Sequence, residues 1–511
     1  MRSLSAPGFP HSTALNATRR ERELEDLGDG VELDVLVVGG GVTGAGIALD
    51  AASRGLRTAL VEKHDLAFGT SRWSSKLVHG GLRYLASGQI GIARESAVER
   101  HILLTRTAPH LTRALAQVVP LYAPEHVVQG AFIGTGYALG DALRRAVRTP
   151  GSILRRPSPI SAAYARELAP AVRVEGLRGG VLGWDGQLID DARLVVALAR
   201  TAAGFGARIL TRVEASELTG DAATLVDSLT GQRMRVRARA VISAAGIWAG
   251  ELDQSVRLQP SRGTHLVVET DRLAGSDVSL TVPLEGSKSR FVFTLPAVHG
   301  RTYIGLTDVP TEDIVDVPQG SEAEISQLLG TVNRVLTHPL RREDVIGTFA
   351  GLRPLLAGSA EEDTSDLARS HAIIESDEGM LSVVGGKLTT YRRMAQDAVD
   401  EALRRRALPT AAPSRTTSLP LVGAWPRERL SDIPAPARLV RRYGAEAPLV
   451  AALPEGRAAA RGVTAQELDW GVRVEGALSV EDLLDRRTRL GLVDADCADS
   501  LAAAEEALAR S

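Results

Sequence analysis

Closely spaced glycines are the residues whose spacing points most directly to chemistry. Gly39, Gly41 and Gly44 form the pattern G-x-G-x-x-G directly after an apolar run. In this pattern the first glycine makes a tight turn, the second lets the backbone approach a pyrophosphate, and the third lets a helix pack closely on a strand. Glu62 follows about 20 residues later, where a carboxylate accepts hydrogen bonds from a ribose hydroxyl. Together these residues predict a site for the adenine half of FAD or NAD.

The elements on either side of the glycines decide whether the pattern has this meaning. Residues 34–38 are mainly apolar and β-branched, as in a buried strand, and residues 45–53 are mostly small, as in a closely packed helix. Gly55 ends that helix, and residues 57–61 predict a second strand. This order of strand, glycine turn, helix and strand is the context that the motif requires. An ordinary glycine-rich turn in an α/β protein is the alternative.

Length, charge and cysteine content limit the class of protein. A chain of 511 residues is too long for one hydrophobic core and predicts roughly two or three domains. A net charge of −2 argues against a general nucleic-acid binder, which needs a concentrated basic excess. The one cysteine, Cys497, excludes an intrachain disulfide and a cysteine-clustered metal site, and it suits a reducing cytosol. No metal is predicted. No window reaches the ~18 unbroken apolar residues of a membrane span, so any membrane contact is expected from one side.

Changes in composition along the chain predict its domains. Residues 1–30 lack the apolar core of a signal peptide and predict a disordered or helical lead-in. Residues 31–408 predict a discontinuous cofactor-binding domain that contains a substrate domain. Residues 409–420 predict a linker, and residues 421–511 predict a helical C-terminal domain. The cofactor-binding segments are approximately 31–116, 170–258 and 345–408, and the substrate segments are approximately 117–169 and 259–344.

Later stretches predict how the sheets are built. Residues 240–248 predict a buried strand ending in small residues, which brings the backbone back to the nucleotide. Residues 263–308 alternate in polarity and predict an antiparallel sheet that covers the cofactor. Residues 322–337 and the Arg- and Glu-rich C-terminal residues offer no chemistry, and we expect them to form solvated helix faces.

A series of motifs, taken in order, resembles the FAD-dependent glycerol-3-phosphate dehydrogenases of the aerobic, quinone-linked type. HGGLRYL at residues 79–85 and GGKLTTYR at residues 385–392 are the most specific of these motifs. The resemblance covers residues 33–503. The other matching pieces are VVGGGVTGAGIALDAASRG, TSRWSSKLVHGGLRYL, DDARLV, RGTHLVV, GLTDV, AGLRPL, RRYG and EDLLDRRTRLGL.

The resemblance implies a fold, a cofactor and a reaction. The fold is α/β, with a Rossmann-like FAD-binding domain of the D-amino-acid-oxidase-like flavoprotein type, an added α+β substrate sheet and a helical C-terminal cap. The reaction is the oxidation of sn-glycerol 3-phosphate to dihydroxyacetone phosphate, in which a hydride moves from C2 to N5 of a non-covalently bound FAD. At Ala245 the family has threonine, so only the backbone of the turn at Gly246 is expected to contact the cofactor.

The implied cofactor contacts fall in the glycine turn, a following loop, the turn at Gly246 and the GGKLTT motif. Residues 63–85 match neither a helix nor a strand pattern and predict a backbone-rich loop wrapped around a ligand. The candidate cofactor-binding residues are Gly39, Gly41, Val42, Thr43, Gly44, Glu62, Lys63, Thr70, Ser71, Ser74, Ser75, Lys76, His79, Gly80, Gly246, Gly386, Lys387, Leu388 and Thr389.

The implied substrate site must bind a phosphate dianion. Arg83 and Arg353 match the arginines of the family motifs HGGLR and G-[VL]-R-P and are expected to clamp the phosphate, because a guanidinium fork binds phosphate at two points. Tyr84 is expected to add a hydroxyl contact, and Arg369 matches a further arginine of the family pocket.

The same site needs a group that accepts the proton of the C2 hydroxyl. His265 is the first choice, because an imidazole titrates near neutrality. Lys387 is the rival, and its ammonium is also suited to stabilise negative charge on a reduced flavin. The candidate catalytic residues are His265, Lys387, Arg353 and Arg83, and the candidate substrate-binding residues are Arg83, Tyr84, His265, Arg353, Arg369 and Lys387.

The resemblance also implies an electron acceptor and a location. Family dehydrogenases pass electrons to a membrane quinone, here from the cytoplasmic side. Oxidase relatives carry an insertion before the terminal domain, for which residues 409–420 are too short, so quinone is favoured over oxygen. A basic cluster predicts either a solvated surface or contact with anionic lipid beside an apolar helix face. The cluster consists of Arg144, Arg145, Arg148, Arg155 and Arg156.

Other functions stay open at this stage. One is an oxidase that uses oxygen, and another is an amine or amino-acid oxidase of the same fold, whose site would hold a carboxylate and need fewer cations. A third is a flavin-binding protein without turnover. The oligomeric state also stays open, with a homodimer among the alternatives.

Overall fold

The computed structural model of the protein describes residues 9–80, 89–122, 124–286, 290–357 and 371–510. In the helix Pro124–Ala146 it describes side chains from residue 133 onward. Among the helices of these ranges, none is both long and apolar enough to cross a lipid bilayer.

The strands of the described residues form two sheets. They are β1 (Leu33–Val38), β2 (Thr58–Glu62), β3 (Leu77–Val78), β4 (Thr112–Leu121), β5 (Ser158–Ile160), β6 (Gly179–Leu188), β7 (Arg208–Thr211), β8 (Val213–Ser216), β9 (Ala222–Asp227), β10 (Arg233–Ser243), β11 (Ser261–Glu269), β12 (Ser279–Pro283), β13 (Phe291–Pro296), β14 (Arg301–Gly305), β15 (Val309–Pro310), β16 (Gly347–Arg353), β17 (His371–Glu375) and β18 (Leu381–Gly385).

The first sheet has the order β17-β18-β10-β1-β2-β7. In addition, β9 pairs with β10, and β8 pairs with β9. β1 is buried along its whole length, as expected for a central parallel strand covered on both faces. It runs parallel to β2 and β10, so residues 240–243 lie beside it as predicted. The helices that pack on one face are Val42–Ser53, Asp191–Gly204 and Tyr391–Arg405.

The second sheet has the order β15-β11-β14-β13-β12-β4-β6-β3, with β16 on β11 and β5 on β6. The predicted antiparallel pairing within residues 263–308 is confirmed for β11, β14 and β13, whereas β12 also pairs in parallel with β4. The helix Glu322–Asn333 packs against this sheet through Ile325, Leu328 and Val332. The described fold is therefore α/β with an added sheet, as predicted.

The two sheets divide the chain differently from the predicted domain segments. β3, β6 and β16 lie in the second sheet, although they fall within segments 31–116, 170–258 and 345–408, which were predicted to bind the cofactor. The reason is long-range pairing: β6 pairs with β4 from Gly179 to Leu188, and β16 pairs with β11. The other boundaries stay predictions.

Helices dominate both ends of the described chain. The lead-in is the helix Ala17–Gly28, which buries Leu24 and Leu27 against the first sheet. Asn16 caps it, since its side chain accepts a hydrogen bond from the backbone of Arg19. The remaining helices are Ile90–Ile102, Pro124–Ala146, Ala162–Leu168, Ala249–Leu252, Ala437–Tyr443, Ala447–Ala451, Ala465–Arg473 and Asp494–Ala509.

The expectation that the Arg- and Glu-rich C-terminal residues form solvated faces is wrong for three arginines, whereas Glu505 and Glu506 are exposed as expected. Arg486, Arg487 and Arg489 are each exposed by 2% or less. They are buried because they form ion pairs across the contact with the rest of the protein, among them the pair with Asp65.

Candidate functional site

A cavity of about 1020 Å³ is lined by both sheets. The first sheet contributes Val38, Glu62 and Ala244, which lie at or just beyond the carboxyl ends of β1, β2 and β10. The carboxyl ends of parallel strands are where doubly wound folds bind ligands. The second sheet contributes His265 and Arg353 from β11 and β16.

Two glycines of the motif, Gly39 and Gly44, lie where a side chain would not fit, and the role of Gly41 stays a prediction. Gly39 has a φ of +114°, and a Cβ there would lie 2.6 Å from the carbonyl oxygen of Ala244. A Cβ on Gly44 would lie 1.9 Å from the carbonyl oxygen of Gly39, so the helix packs directly on the turn. Gly41 is the N-cap of the helix Val42–Ser53. Gly39 and Gly44 therefore exclude side chains because a Cβ would meet backbone atoms.

The start of this helix fits the pyrophosphate and ribose of a dinucleotide. The helix N-terminus presents backbone N–H groups and the positive end of the helix dipole, and Val42 N–H donates to Oγ of Ser71 over 2.9 Å. The Glu62 carboxylate accepts from N–H of Gly40 at 2.6 Å and of His64 at 2.8 Å. Burial raises the pKa of Glu62. A ribose hydroxyl that donates to this carboxylate would favour its charged form and so oppose the rise in pKa.

The GGKLTT motif also lines the cavity. Gly386 has a φ of +75°, and a Cβ there would lie 2.4 Å from Sδ of Met394. Lys387 precedes the turn Leu388–Thr390, which leads into the helix Tyr391–Arg405. Its Nζ donates to Oγ of Ser96 over 3.1 Å. An ammonium is thereby fixed at the cavity wall.

His265 lies in the middle of β11 and is 1% exposed. Its Nε2 is 2.8 Å from Oγ of Ser75, and its ring stacks on Phe349 with the ring centroids 4.6 Å apart. Burial, reinforced by the charges of Lys76 and Arg353, holds the pKa of His265 well below 6.5. The imidazole is therefore neutral at physiological pH.

Arg353 ends β16 beside β11. Its Nη1 lies 2.8 Å from Oδ1 of Asp308 and 3.3 Å from Oγ of Ser261, and Nη2 donates to the carbonyl oxygen of Thr307 over 3.4 Å. A Cβ on Gly263 would lie 2.7 Å from Nη2, so the guanidinium rests directly on the strand. With 25% of its side chain exposed, the arginine is both oriented and accessible.

Glu324 is hydrogen-bonded to β11 and corrects the expectation that residues 322–337 form only a solvated face. It is 4% exposed, and its Oε1 accepts from Oγ1 of Thr264 at 2.8 Å and of Thr307 at 2.7 Å. The carboxylate is buried because these hydroxyls and Arg262 satisfy it. Glu324 thereby links Thr264, which precedes His265, to Thr307, which precedes Asp308.

Some predicted cofactor residues lie behind the cavity wall. Lys76 has Nζ 3.2 Å from Oδ2 of Asp191 and donates to the carbonyl oxygen of Arg72. Burial lowers the pKa of Lys76 to about 8. The N–H of Gly80 donates to the carboxylate of Asp185, and a Cβ on Gly80 would lie 2.4 Å from Nη1 of Arg100. In the described structure these residues hold the loop in shape and do not line the cavity.

Most predicted residues that the structure describes meet at this one cavity. Those lining it are Gly39, Gly41, Val42, Thr43, Glu62, Lys63, Thr70, Ser71, Ser74, Ser75, His79, Gly246, His265, Arg353, Gly386, Lys387, Leu388 and Thr389. Gly44, Lys76 and Gly80 are not among its lining residues. Arg83, Tyr84 and Arg369 lie outside the described residues.

Sequence reasoning assigned no role to Asp308, Phe349 or Ser96, which hold Arg353, His265 and Lys387 respectively. Asp308 stands in the GLTDV motif, and an acidic residue in a motif of a cation-rich site is a signal that could have suggested a partner for an arginine. Phe349 and Ser96 carry no such signal, because nothing in their local sequence shows what they contact.

Two family models match the chain. The model described as FAD dependent oxidoreductase matches residues 34–392. The model described as C-terminal domain of alpha-glycerophosphate oxidase matches residues 414–509. The two matches therefore cover both the sheets that line the cavity and the helical C-terminal region.

Individual proteins are similar along nearly the whole chain. Glycerol-3-phosphate dehydrogenase 1 of Mycobacterium tuberculosis is 54% identical, over 98% of this chain and 100% of its own length. Glycerol-3-phosphate dehydrogenase 2 of the same species is 38% identical, over 97% of this chain and 88% of its own length. The crystal structure of glycerol-3-phosphate dehydrogenase from Bacillus halodurans complexed with FAD is 26% identical, with a TM-score of 0.71, over 97% of this chain and 96% of that chain.

Proposed function

The chain belongs to the FAD-dependent glycerol-3-phosphate dehydrogenase family, and we propose that it oxidises sn-glycerol 3-phosphate to dihydroxyacetone phosphate and passes the electrons to a membrane quinone. The observation that carries the proposal is that His265, Arg353 and Lys387 line the same cavity as the glycine turn at residues 39–43. FAD, when bound, supplies the two-electron acceptor that takes the hydride from C2.

Arg353 binds the phosphate in this proposal. The guanidinium pairs with Asp308 and packs against the backbone of Gly263, and both contacts keep it in one orientation. This orientation reduces the conformational entropy that is lost when phosphate binds. Arg83, Tyr84 and Arg369 complete the phosphate site in our proposal, and for these residues the support is the family motifs alone.

His265 accepts the proton of the C2 hydroxyl. A neutral imidazole has the lone pair that this role needs, and its hydrogen bond to Ser75 together with the stacking on Phe349 fixes the ring. The low pKa makes His265 a weak base in the free protein. A phosphate dianion in the same cavity opposes the charges of Lys76 and Arg353 and raises that pKa in the complex.

Lys387 stabilises negative charge as the substrate is oxidised. Its ammonium lines the cavity and is held by Ser96, so the charge needs no reorganisation during the reaction. Lys387 is also the alternative proton acceptor. A lysine acts as a base only after losing its own proton, and this requirement favours His265 at neutral pH.

Anaerobic reduction of the bound flavin tests the substrate. The purified protein is mixed with glycerol 3-phosphate, glycerol, glycine, sarcosine or a D-amino acid, and flavin absorbance is followed. We expect bleaching with glycerol 3-phosphate alone. Bleaching by an amino acid instead supports an amino-acid oxidase, and an unchanged spectrum with every compound supports a flavin-binding protein without turnover.

The acceptor needs a separate experiment. Protein reduced by glycerol 3-phosphate is mixed either with a short-chain quinone or with air-saturated buffer, and reoxidation is followed in both. We expect faster reoxidation by the quinone, for which the support is the short linker at residues 409–420. Faster reoxidation by oxygen identifies an oxidase.

The helix Pro124–Ala146 is our proposed contact with the cytoplasmic face of the membrane. Leu139 is 49% exposed and is among the residues that line the cavity, and Arg145 on the same helix is 66% exposed. Arg148 is exposed just beyond the helix. Cosedimentation with anionic vesicles tests the contact: Arg145→Glu with Arg148→Glu should abolish it, and the distant Arg341→Glu should not.

A further inference from the structure

The motif EDLLDRRTRLGL has no part in the proposed chemistry, yet it contacts the loop that borders the cofactor cavity. We call residues 65–76 the wrap segment and residues 482–489 the brace. The wrap segment contributes Thr70, Ser71 and Ser75 to the cavity wall. No brace residue is among the described residues that line the cavity.

The first contact is at the start of the wrap segment. Asp65 is fully buried and accepts hydrogen bonds from Nε of Arg486 at 2.6 Å and from both terminal nitrogens of Arg487, at 2.8 and 2.9 Å. A carboxylate held by two guanidinium groups in a dry environment is fixed strongly, because either charge alone would be costly to bury.

The second contact is near the end of the wrap segment. Arg72 is 1% exposed, and its Nη1 lies 3.0 Å from Oδ2 of Asp485. Arg489 donates from Nη2 to the carbonyl oxygen of Arg72 over 2.7 Å. The Arg72 guanidinium also covers the ring of Trp73 at 4.1 Å, and Trp73 lines the cavity. The wrap segment is therefore held near both ends by the brace.

The part of the wrap segment between these contacts lies against the N-terminus of the helix Val42–Ser53 and against β16. Ser71 accepts the hydrogen bond of Val42 at the start of the helix that binds the pyrophosphate. Thr70 donates to the carbonyl oxygen of Leu352, the residue before Arg353. A shift of the wrap segment would therefore disturb both the N-terminus of the helix Val42–Ser53 and β16, the strand that ends in Arg353.

We infer that the brace is a positioning element: the C-terminal domain holds the wrap segment in its FAD-binding conformation and thereby sets the affinity for FAD without touching it. Since coupling between two sites is reciprocal, bound FAD should in turn strengthen the contact between brace and wrap segment. The inference rests on the FAD site alone and is independent of the substrate.

A pair of variants tests the inference. Asp485→Asn removes the negative charge that pairs with Arg72 at a side chain that is 32% exposed, so the change is compatible with folding. Glu446→Gln is the matched control. It removes the negative charge from another buried pair between the C-terminal domain and the rest of the protein, in which Arg200 contacts both carboxylate oxygens of Glu446 at 2.8 and 2.7 Å and no residue of the wrap segment takes part.

The measurement is the Kd of FAD for the apoprotein, from quenching of flavin fluorescence, together with the melting temperature. We expect Asp485→Asn to raise the Kd at least tenfold, Asp485→Glu to restore most of the affinity, and Glu446→Gln to stay within twofold of the wild type. A Kd within twofold for Asp485→Asn, or an equal loss for Glu446→Gln, overturns the inference.

Hydrogen exchange on the unmodified chain gives an independent test that needs no variant. With FAD added to the apoprotein, amides of residues 482–489 should exchange at least threefold more slowly, while those of residues 444–446 keep their rates. Equal rates for the brace with and without FAD overturn the inference even if every variant fails to fold.

Discussion

The hydroxyl oxygen of Ser75 lies 2.8 Å from Nε2 of His265. This hydrogen bond joins the wrap segment to β11, so the orientation of the imidazole depends on a loop as well as on its own strand. The other ring nitrogen, Nδ1, has no hydrogen-bond partner among the described residues. The sequence predicted Ser75 only as a cofactor contact, and the structure adds this role toward His265.

Replacing Ser75 by alanine should slow turnover more than it weakens substrate binding. The variant loses one hydrogen bond, worth about 0.5–1.5 kcal/mol, at the residue that accepts the proton. We expect kcat to fall about two- to twelvefold and KM for glycerol 3-phosphate to stay within twofold, because Arg353 is untouched. Steady-state kinetics with a dye acceptor measure both quantities.

Two controls accompany the Ser75 variant. Ser75→Thr retains the hydroxyl and should recover most of kcat. Ser418→Ala removes an exposed hydroxyl far along the chain that donates only to a nearby carbonyl oxygen, and it should have no effect. A normal kcat for Ser75→Ala would show that the hydrogen bond is structural only.

Arg353→Ala should nearly abolish turnover while the purified protein stays yellow. Truncating one partner of a hydrogen-bonded charge pair costs roughly 2–5 kcal/mol, which predicts a loss in kcat/KM of about 30- to 5,000-fold. The matched control is Arg341→Ala, since Arg341 is 77% exposed and pairs with Glu343 at the surface. A colourless Arg353 variant, or unchanged kinetics, contradicts the phosphate role.

Gly41→Val should yield a folded protein without flavin. A Cβ at Gly41 would lie 3.1 Å from Oγ of Ser71, which the rotation of one hydroxyl relieves, but the branched side chain then occupies space needed by the pyrophosphate. Absorbance at the flavin band and circular dichroism separate loss of cofactor from loss of fold.

Two further glycine variants frame that result. Gly44→Ala should prevent correct folding, because its Cβ meets the carbonyl oxygen of Gly39 at 1.9 Å and backbone cannot yield cheaply. A Cβ at Gly330 would have no atom within 4 Å, so Gly330→Ala should keep its flavin. Its stability should rise by about 0.5–1 kcal/mol. Flavin loss in Gly330→Ala would show that glycine changes act nonspecifically here.

The parts of the site that could be predicted from the sequence are those whose physics is local. Gly39, Gly41 and Gly44 act on a turn and a helix that adjoin them, so their spacing carries the prediction. The contact of Ser75 with His265 joins residues far apart in the chain, and no local pattern encodes it. The family resemblance supplied His265, and the structure supplied its partner.

Charge patterns misled the prediction for a similar reason. A charged residue on a helix is solvated by default, so Arg487 and Glu324 were expected at the surface. Both are buried because each has partners from a distant part of the chain, Asp65 for the first and Thr264 with Thr307 for the second. Sequence alone shows the charge and conceals the partner.

Stability should fall as the pH drops below about 6.5, because buried histidines stay neutral in the folded protein. Burial, aided by the charges of Arg193 and Arg427, lowers the pKa of His110 to about 3. The unfolded chain binds this proton near pH 6.5 and the folded protein does not, so each pH unit between those values costs about 1.4 kcal/mol per such histidine. Melting temperatures from pH 7.5 to 5 should therefore decline less steeply in His110→Gln than in the wild type. His11→Gln, which changes an exposed histidine, is the control. An identical slope of melting temperature against pH in the wild type, His110→Gln and His11→Gln contradicts the argument.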